Sequence, residues 1–244
     1  MLGLPDKIAA CLFDMDGVVT RTAVVHDAAW KQMFDDFLRK HAAQTGEKFI
    51  PFDPVHDYDE FVDGKPRLEG TRAFLKSRSI SLPDGSPDDP AGTETIWGLS
   101  NRKNDLVLDV LARDGVEVYD GSFRYITAAR AAGLRTAIVS SSANTAQVLD
   151  TAGIAQLFDV RVDAHVADAK GLLGKPAPDT FLEAARELGV DAARAAVFED
   201  ALAGVAAGRA GGFGYVVGVD RVGQAVALRQ HGADVVVPDL GDLL

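Results

Sequence analysis

The chain has 244 residues, with 25 Lys and Arg against 36 Asp and Glu, a formal net charge of -11. That acidic balance argues against nucleic acid or an anionic membrane as the main partner. No stretch approaches the roughly 18 unbroken apolar residues of a membrane span. With 47% hydrophobic residues the chain can build a sizeable core, in one domain or in one domain with a second inserted into it. Pro5, Asp6 and Lys7 interrupt the start where a signal peptide would carry a basic head and a long apolar segment. The single cysteine, Cys11, lies in an apolar run and is read as a buried, reduced thiol of a cytoplasmic protein.

The first element is a buried strand over Ile8 to Phe13, which ends in two carboxylates, Asp14 and Asp16, one residue apart. Strand side chains alternate, so the two emerge on the same side as the strand opens into a loop, and Gly17 lets the backbone turn just beyond them. In an open parallel sheet the crevice at the carboxyl ends of the strands takes the ligand. Two carboxylates placed there can hold a hard cation through oxygen, and one can attack an electrophile while the other shuttles a proton. Acids after a strand also serve as plain turn or capping residues.

After Thr20 the pattern is helical. Trp30, Met33, Phe34, Phe37 and Leu38 recur at spacings of three and four, with Asp27, Lys31, Asp35, Asp36 and Arg39 mostly on the other face. His26 precedes Trp30 by four residues and so sits on the apolar side, where a histidine is most often a packed structural residue. Thr20 to Thr22, between strand and helix, forms a hinge. From His41 to Gly115 the chain carries short helical patterns, one holding Phe74 and Leu75, another Leu106, Val107, Val110 and Leu111. Between them lies a polar, Pro- and Gly-rich loop from Ser81 to Gly92. This region reads as a small helical domain.

From Tyr119 strands and helices alternate. A helix from Phe123 to Ala132 stops at Gly133, a strand from Leu134 to Val139 closes in Ser140-Ser141-Ser142, and a helix then runs to Ala152. Phe158 to Val162 is a strand, and Lys175-Pro176-Ala177-Pro178-Asp179 leads into a helix with Phe181, Leu182, Ala185 and Leu188 as its apolar positions. The strand from Ala195 to Phe198 ends in Glu199-Asp200, and a small-residue helix follows to Ala210. Tyr215 to Val219 and Asp234 to Val237 are the last strands, with a helix between. Such alternation means a parallel sheet with helices on both faces. The expected fold is therefore an α/β core over 1–22 and 119–244, interrupted by a helical cap over 23–118.

Strand ends thus carry Asp14 and Asp16, then Ser140 with helix N–H donors beyond it, then Glu199 and Asp200, while Lys175 lies in a proline-stiffened loop. Each has a purely structural reading. Ser142 or Asn144 can cap a helix, Lys175 can be a solvated cation, and Glu199-Asp200 can simply suit a helix start. Together they supply what phosphoryl transfer needs, which is positioning and charge neutralisation around the phosphoryl oxygens.

Four segments, Phe13-Asp14-Met15-Asp16-Gly17, Val139-Ser140, Lys175-Pro176-Ala177-Pro178-Asp179 and Phe198-Glu199-Asp200-Ala201, resemble the four motifs of the haloacid dehalogenase superfamily, in the right order and across nearly the whole chain. The resemblance implies a Rossmann-like core. It implies Asp14 as a nucleophile that becomes phosphorylated and Asp16 as general acid and base. Mg²⁺ would be held by Asp14, the backbone of Asp16, and Glu199 with Asp200. Ser140, the backbone of Ser141, and Lys175 would hold the transferring phosphoryl group. Val18-Val19-Thr20-Arg21-Thr22, His26 and Trp30, together with Gly64-Lys65-Pro66-Arg67 and Arg102-Lys103-Asn104, are similar to cap segments of the β-phosphoglucomutase-like subfamily. By that likeness Thr22, His26, Arg67, Lys103, Ser142 and Asn144 would bind substrate. Ala143 departs from the subfamily, whose familiar bacterial members tend to have lysine there. The resemblance implies a Mg²⁺-dependent mutase interconverting β-glucose 1-phosphate and glucose 6-phosphate. A sugar-phosphate phosphatase with the same nucleophile is the alternative that Ala143 keeps open. Either way the expected partner is a small sugar phosphate, taken by a monomer that binds neither nucleic acid nor membrane.

Overall fold

Four residues with no solvent exposure, Ala10–Phe13, form β1 at the centre of the sheet in a computed structural model that describes residues 2–244. Among the described residues the sheet has six strands, with β2 Arg135–Val139, β3 Val160–Val162, β4 Ala195–Glu199, β5 Tyr215–Val219 and β6 Val235–Val237, in the order β3-β2-β1-β4-β5-β6. Every pair is parallel. Strands covered on both faces read as continuous apolar runs, which is why β1 and β4 show no polar alternation. Phe13 pairs with Ile138 on one side and Phe198 on the other. This register brings the residues after β1, β2 and β4 to one level. The strand order reverses at β1, so that level is a topological switch point, where open α/β sheets bind ligands.

The α/β unit comprises residues up to Thr22 together with Val116–Leu244. Its helices are α4 Asp120–Ala131, α5 Thr145–Thr151, α6 Ala164–Lys170, α7 Asp179–Leu188, α8 Leu202–Ala210 and α9 Ala225–His231, counted after the three of the helical unit described next. Ala10, Leu12, Val139 and Val197 pack with Phe181 of α7, Val205 of α8 and Leu228 of α9 on one face of the sheet. On the other, Phe13 stacks on Phe198 at 4.4 Å and meets the edge of Tyr125 from α4. Cys11 is fully buried and its thiol is pushed up to about 12 by that burial.

The helical unit, Ala23–Gly115, is built from α1 Ala23–Thr45, a π-helical turn at Tyr58–Val62, α2 Arg67–Ser77 and α3 Ile96–Asp114. Its core is separate and aromatic, with Phe34 at 4.1 Å from Phe74 and 5.3 Å from both Trp30 and Phe52. The helix α3 starts at Thr95, whose hydroxyl accepts the Gly98 N–H at 2.9 Å and so satisfies an orphan donor.

Several local expectations are corrected. Asp35, placed on the polar face of α1, is only 7% exposed because its Oδ1 accepts the Phe52 N–H at 2.8 Å. Leu182, counted as apolar face, is 39% exposed, while Glu183 beside it is buried under ion pairs. Helix α4 begins at Asp120, three residues before the expected Phe123. Helix α6 has no counterpart in the sequence reading. Only Val166 interrupts its polar and small residues, and its N-cap, the Asp163 side chain on the Val166 N–H, leaves no periodicity to read. Among the described residues no helix is long and apolar enough to cross a membrane.

Candidate active site at the switch point

Each strand of the central three delivers its functional group in the residue where pairing ends. Asp14 continues the β1 ladder, its N–H donating to Phe198 O at 2.9 Å, and is 7% exposed. Gly17 follows at φ +89°, a conformation that L side chains rarely adopt, and a Cβ there would lie 1.7 Å from Asp200 Oδ2. The last residue of β4 is Glu199, fully buried, and the chain just after it supplies Asp200, half-buried. Glu199 Oε2 accepts the Ala201 N–H at 2.9 Å, and only glycine at 204 leaves room for its carboxylate.

Lys175 joins the two acid-bearing strands. The alternative that it is one more solvated cation fails, since it is 1% exposed. Its ammonium donates to Asp14 Oδ1 at 2.5 Å, Glu199 Oε1 at 2.6 Å and Val139 O at 3.2 Å. Burial alone would lower its pKa, but Asp14 and Glu199 outweigh that and hold it raised and charged. Burial pushes the Asp14 carboxyl well above the usual carboxylate range. Lys175 opposes that shift, while the negative charges of Glu199 and Asp16 reinforce it.

Asp14, Glu199 and Asp200 each offer a carboxylate oxygen within 4.8 Å of the others. One buried ammonium does not neutralise this group. Its all-oxygen donor set and surplus negative charge fit a hard divalent cation.

Asp16 is half-buried, and its Oδ1 accepts the hydroxyl hydrogen bond of Thr22. Thr22 in turn lies 2.7 Å from Thr20 Oγ1, and Thr20 reaches Met15 O at 3.1 Å. So Thr22, assigned to substrate, has its hydroxyl on Asp16. Ser140 is 2% exposed at the end of β2, and its Oγ accepts the Ser142 N–H at 3.1 Å. Ser141 and Ser142 continue that loop, half-buried, with Ser142 Oγ accepting the Asn144 N–H at 3.1 Å. Asn144 stands at the N-cap of α5 without a side-chain capping bond.

The remaining predicted residues belong to the helical unit and gather there. His26 Nδ1 lies 2.7 Å from Lys103 Nζ, within hydrogen-bond distance of that ammonium. Lys103 is 5% exposed and its ammonium sits 4.8 Å from the Trp30 ring centroid. Arg67 Nη1 donates to Asn104 Oδ1 at 3.3 Å. Sequence reading passed over three residues that bond to the site's loops: Thr20, Arg221, which donates to Gly17 O at 2.8 Å, and Gln224, whose amide donates to Asp200 O at 3.0 Å. Thr20 had been given only a hinge role. The other two follow β5, and the rule that strand ends carry chemistry would have marked them.

A parallel sheet ordered 3-2-1-4-5-6, with two aspartates after β1, a serine after β2, an acidic pair after β4 and a buried lysine between them, defines a class. Residues 8–212 match the haloacid dehalogenase-like hydrolase family, and the chain belongs to it. Among relatives, it is 58% identical over 247 aligned positions to a β-phosphoglucomutase of Mycobacterium bovis, covering 100% of this chain and 94% of that protein. It is 32% identical to the β-phosphoglucomutase of Bacillus subtilis, over 96% of this chain and 91% of the other. Among solved structures, the β-phosphoglucomutase of Clostridium difficile superposes with a TM-score of 0.74 at 26% identity, covering 97% of this chain and 93% of that one.

Proposed function

We propose that this chain is a Mg²⁺-dependent mutase that interconverts β-glucose 1-phosphate and glucose 6-phosphate through a phosphorylated Asp14. The observation that carries the chemistry is Asp14 itself, buried at a strand end with Lys175 Nζ 2.5 Å from its Oδ1 and two further carboxylates beside it. The full-length likeness to curated β-phosphoglucomutases supports the choice of sugar phosphate.

In the proposed cycle, phosphorylated Asp14 gives its phosphoryl group to the C6 hydroxyl of β-glucose 1-phosphate. The aspartyl–phosphorus bond breaks as the new oxygen–phosphorus bond forms, and Asp16 takes the hydroxyl proton. The Thr22 hydroxyl on Asp16 Oδ1 holds that carboxylate in orientation. The resulting bisphosphate turns end for end. Asp14 Oδ then attacks the phosphorus on C1, the phosphorus–O1 bond breaks, and Asp16 returns its proton to O1, giving glucose 6-phosphate. Lys175 stays charged throughout and balances the negative oxygens of the transferring group, as phosphoryl transfer requires. Ser140 offers its hydroxyl to the same oxygens. When bound by Asp14, the Asp16 backbone, Glu199 and Asp200, Mg²⁺ supplies further neutralisation of phosphoryl charge. In the helical unit, Arg67 and Lys103 are assigned the phosphate that is not reacting.

Phosphorus NMR of the protein with Mg²⁺, β-glucose 1-phosphate and a trace of glucose 1,6-bisphosphate tests the reading. Glucose 6-phosphate accumulates with little inorganic phosphate, and Asp14→Asn abolishes the conversion while its circular dichroism stays unchanged. Inorganic phosphate as the main product would make the protein a phosphatase. Full turnover by Asp14→Asn would remove the nucleophile assignment.

A further inference from the structure

The loop after β5 touches both acid-bearing loops of the site at once. Asp220 Oδ1 accepts the N–H groups of Gly223 at 2.7 Å and Gln224 at 2.8 Å, which closes the loop on itself and fixes what it presents. From it, Arg221 Nε donates to Gly17 O at 2.8 Å and its Nη2 lies 3.5 Å from Val18 O. The Gln224 side-chain amide donates to Asp200 O at 3.0 Å. The guanidinium is itself held in place. It lies 3.6 Å from the Tyr119 ring centroid, its Nη1 donates to Pro238 O at 2.8 Å, and Asp239 Oδ2 is 3.3 Å away, leaving the side chain 15% exposed.

These contacts fall where the site has least tolerance. The Gly17 α-carbon is so close to Asp200 that a methyl group between them would overlap its carboxylate. A shift of either loop along that line changes the spacing between Asp14, Asp16 and Asp200. The sheet does not fix it, because the β1–β4 register ends at Phe13 and Phe198 and the β4–β5 register at Glu199, before Asp16, Gly17 and Asp200. Arg221, bonded to the first loop, and Gln224, bonded to the second, tie both to the single turn that carries them. We propose that Arg221 and Gln224 are positioning residues that set the separation of the metal-binding carboxylates. This rests on reading Asp14, the Asp16 backbone, Glu199 and Asp200 as the metal-binding group. Partners that orient metal ligands in this way typically govern affinity about 10–100-fold.

The test is direct Mn²⁺ titration, followed by the electron paramagnetic resonance of free Mn²⁺, with no substrate present. Arg221→Ala is expected to weaken Mn²⁺ binding by about 10–100-fold and Gln224→Ala to weaken it less. Both lower kcat with little change in the KM for sugar phosphate, and Arg221→Lys recovers part of the affinity. Arg209→Ala is the comparison, since that guanidinium also ties backbone together, at Gly232 O and Asp234, but on α8. It should lower the melting temperature and leave Mn²⁺ affinity unchanged. Unchanged Mn²⁺ affinity in Arg221→Ala and Gln224→Ala, or an equal loss in Arg209→Ala, overturns the proposal. If Arg221→Ala does not fold, Gln224→Ala and Arg221→Lys decide it. Weakened metal binding in a protein that converts no sugar phosphate would keep this inference and remove the mutase reading.

Discussion

At the scale of single residues, the decisive fact is an ammonium with almost no access to water and two carboxylates within 2.6 Å. Taking such charges out of water is costly, and only their mutual pairing offsets it. Removing one partner is therefore worse than never having had the pair. Lys175→Met should destabilise the protein by about 3–5 kcal/mol, because Asp14 and Glu199 stay buried without their cation. Urea unfolding measures that loss. Turnover should fall by at least about 10²-fold, as expected when a group facing developing charge is deleted. A variant of parental stability would show that water already reaches the two carboxylates. Sequence alone did not anticipate this burial. A lysine in a Pro-rich loop has every local reason to be solvated, and only the approach of Asp14 and Glu199 from two other strands removes it from water.

At the scale of elements, α6 and α7 are joined by charge as well as by packing. Lys170, the last residue of α6, donates to both Glu183 and Glu187 of α7, while Arg186 grips both oxygens of Glu183 at 2.7 Å. Arg186 first and Lys170 second hold the Glu183 carboxyl down, from 4.5 to about 2. A carboxyl depressed in the folded state stabilises above its unfolded pKa, and that contribution is lost as the pH falls through the folded value. The window therefore runs from pH 4.5 down to about 2. Glu183→Gln should unfold at lower urea than the parent at pH 6, and the gap should narrow as the pH is lowered through that window. A gap independent of pH would mean that Glu183 matters by shape rather than by charge. Here too the pattern misled locally. Helical spacing favoured Leu182 for the buried face, whereas the cations around Glu183 draw the face towards that residue.

At the scale of the whole molecule, the chain divides into two compact units, each with its own core. Units with separate cores can lose structure separately. Phe74 is fully buried against Phe34 and Phe52, so Phe74→Ala should cost about 3–5 kcal/mol in the helical unit. Hydrogen exchange reads out where that cost falls. Protection should drop across α1, α2 and α3 while the β1 and β4 amides keep theirs. An equal drop in both units would mean that they unfold as one.

The sequence by itself determined the α/β class, the interruption of the core by a helical segment, and the residues at the ends of β1, β2 and β4. Those features are local. Apolar runs make buried strands, periodicity makes helices, and polar residues where a strand stops mark its ligand-binding end. What only the tertiary structure decided is which of those ends meet. The order β3-β2-β1-β4-β5-β6 puts β4 beside β1, although the chain between them holds a whole helical unit and two other strands. That adjacency buries Lys175, gathers Asp14 with Glu199 and Asp200, and brings Arg221 and Gln224 from beyond β5 onto both loops. Pairing between strands far apart in sequence is set by the packing of helices on both faces of the sheet, which no local window of residues contains.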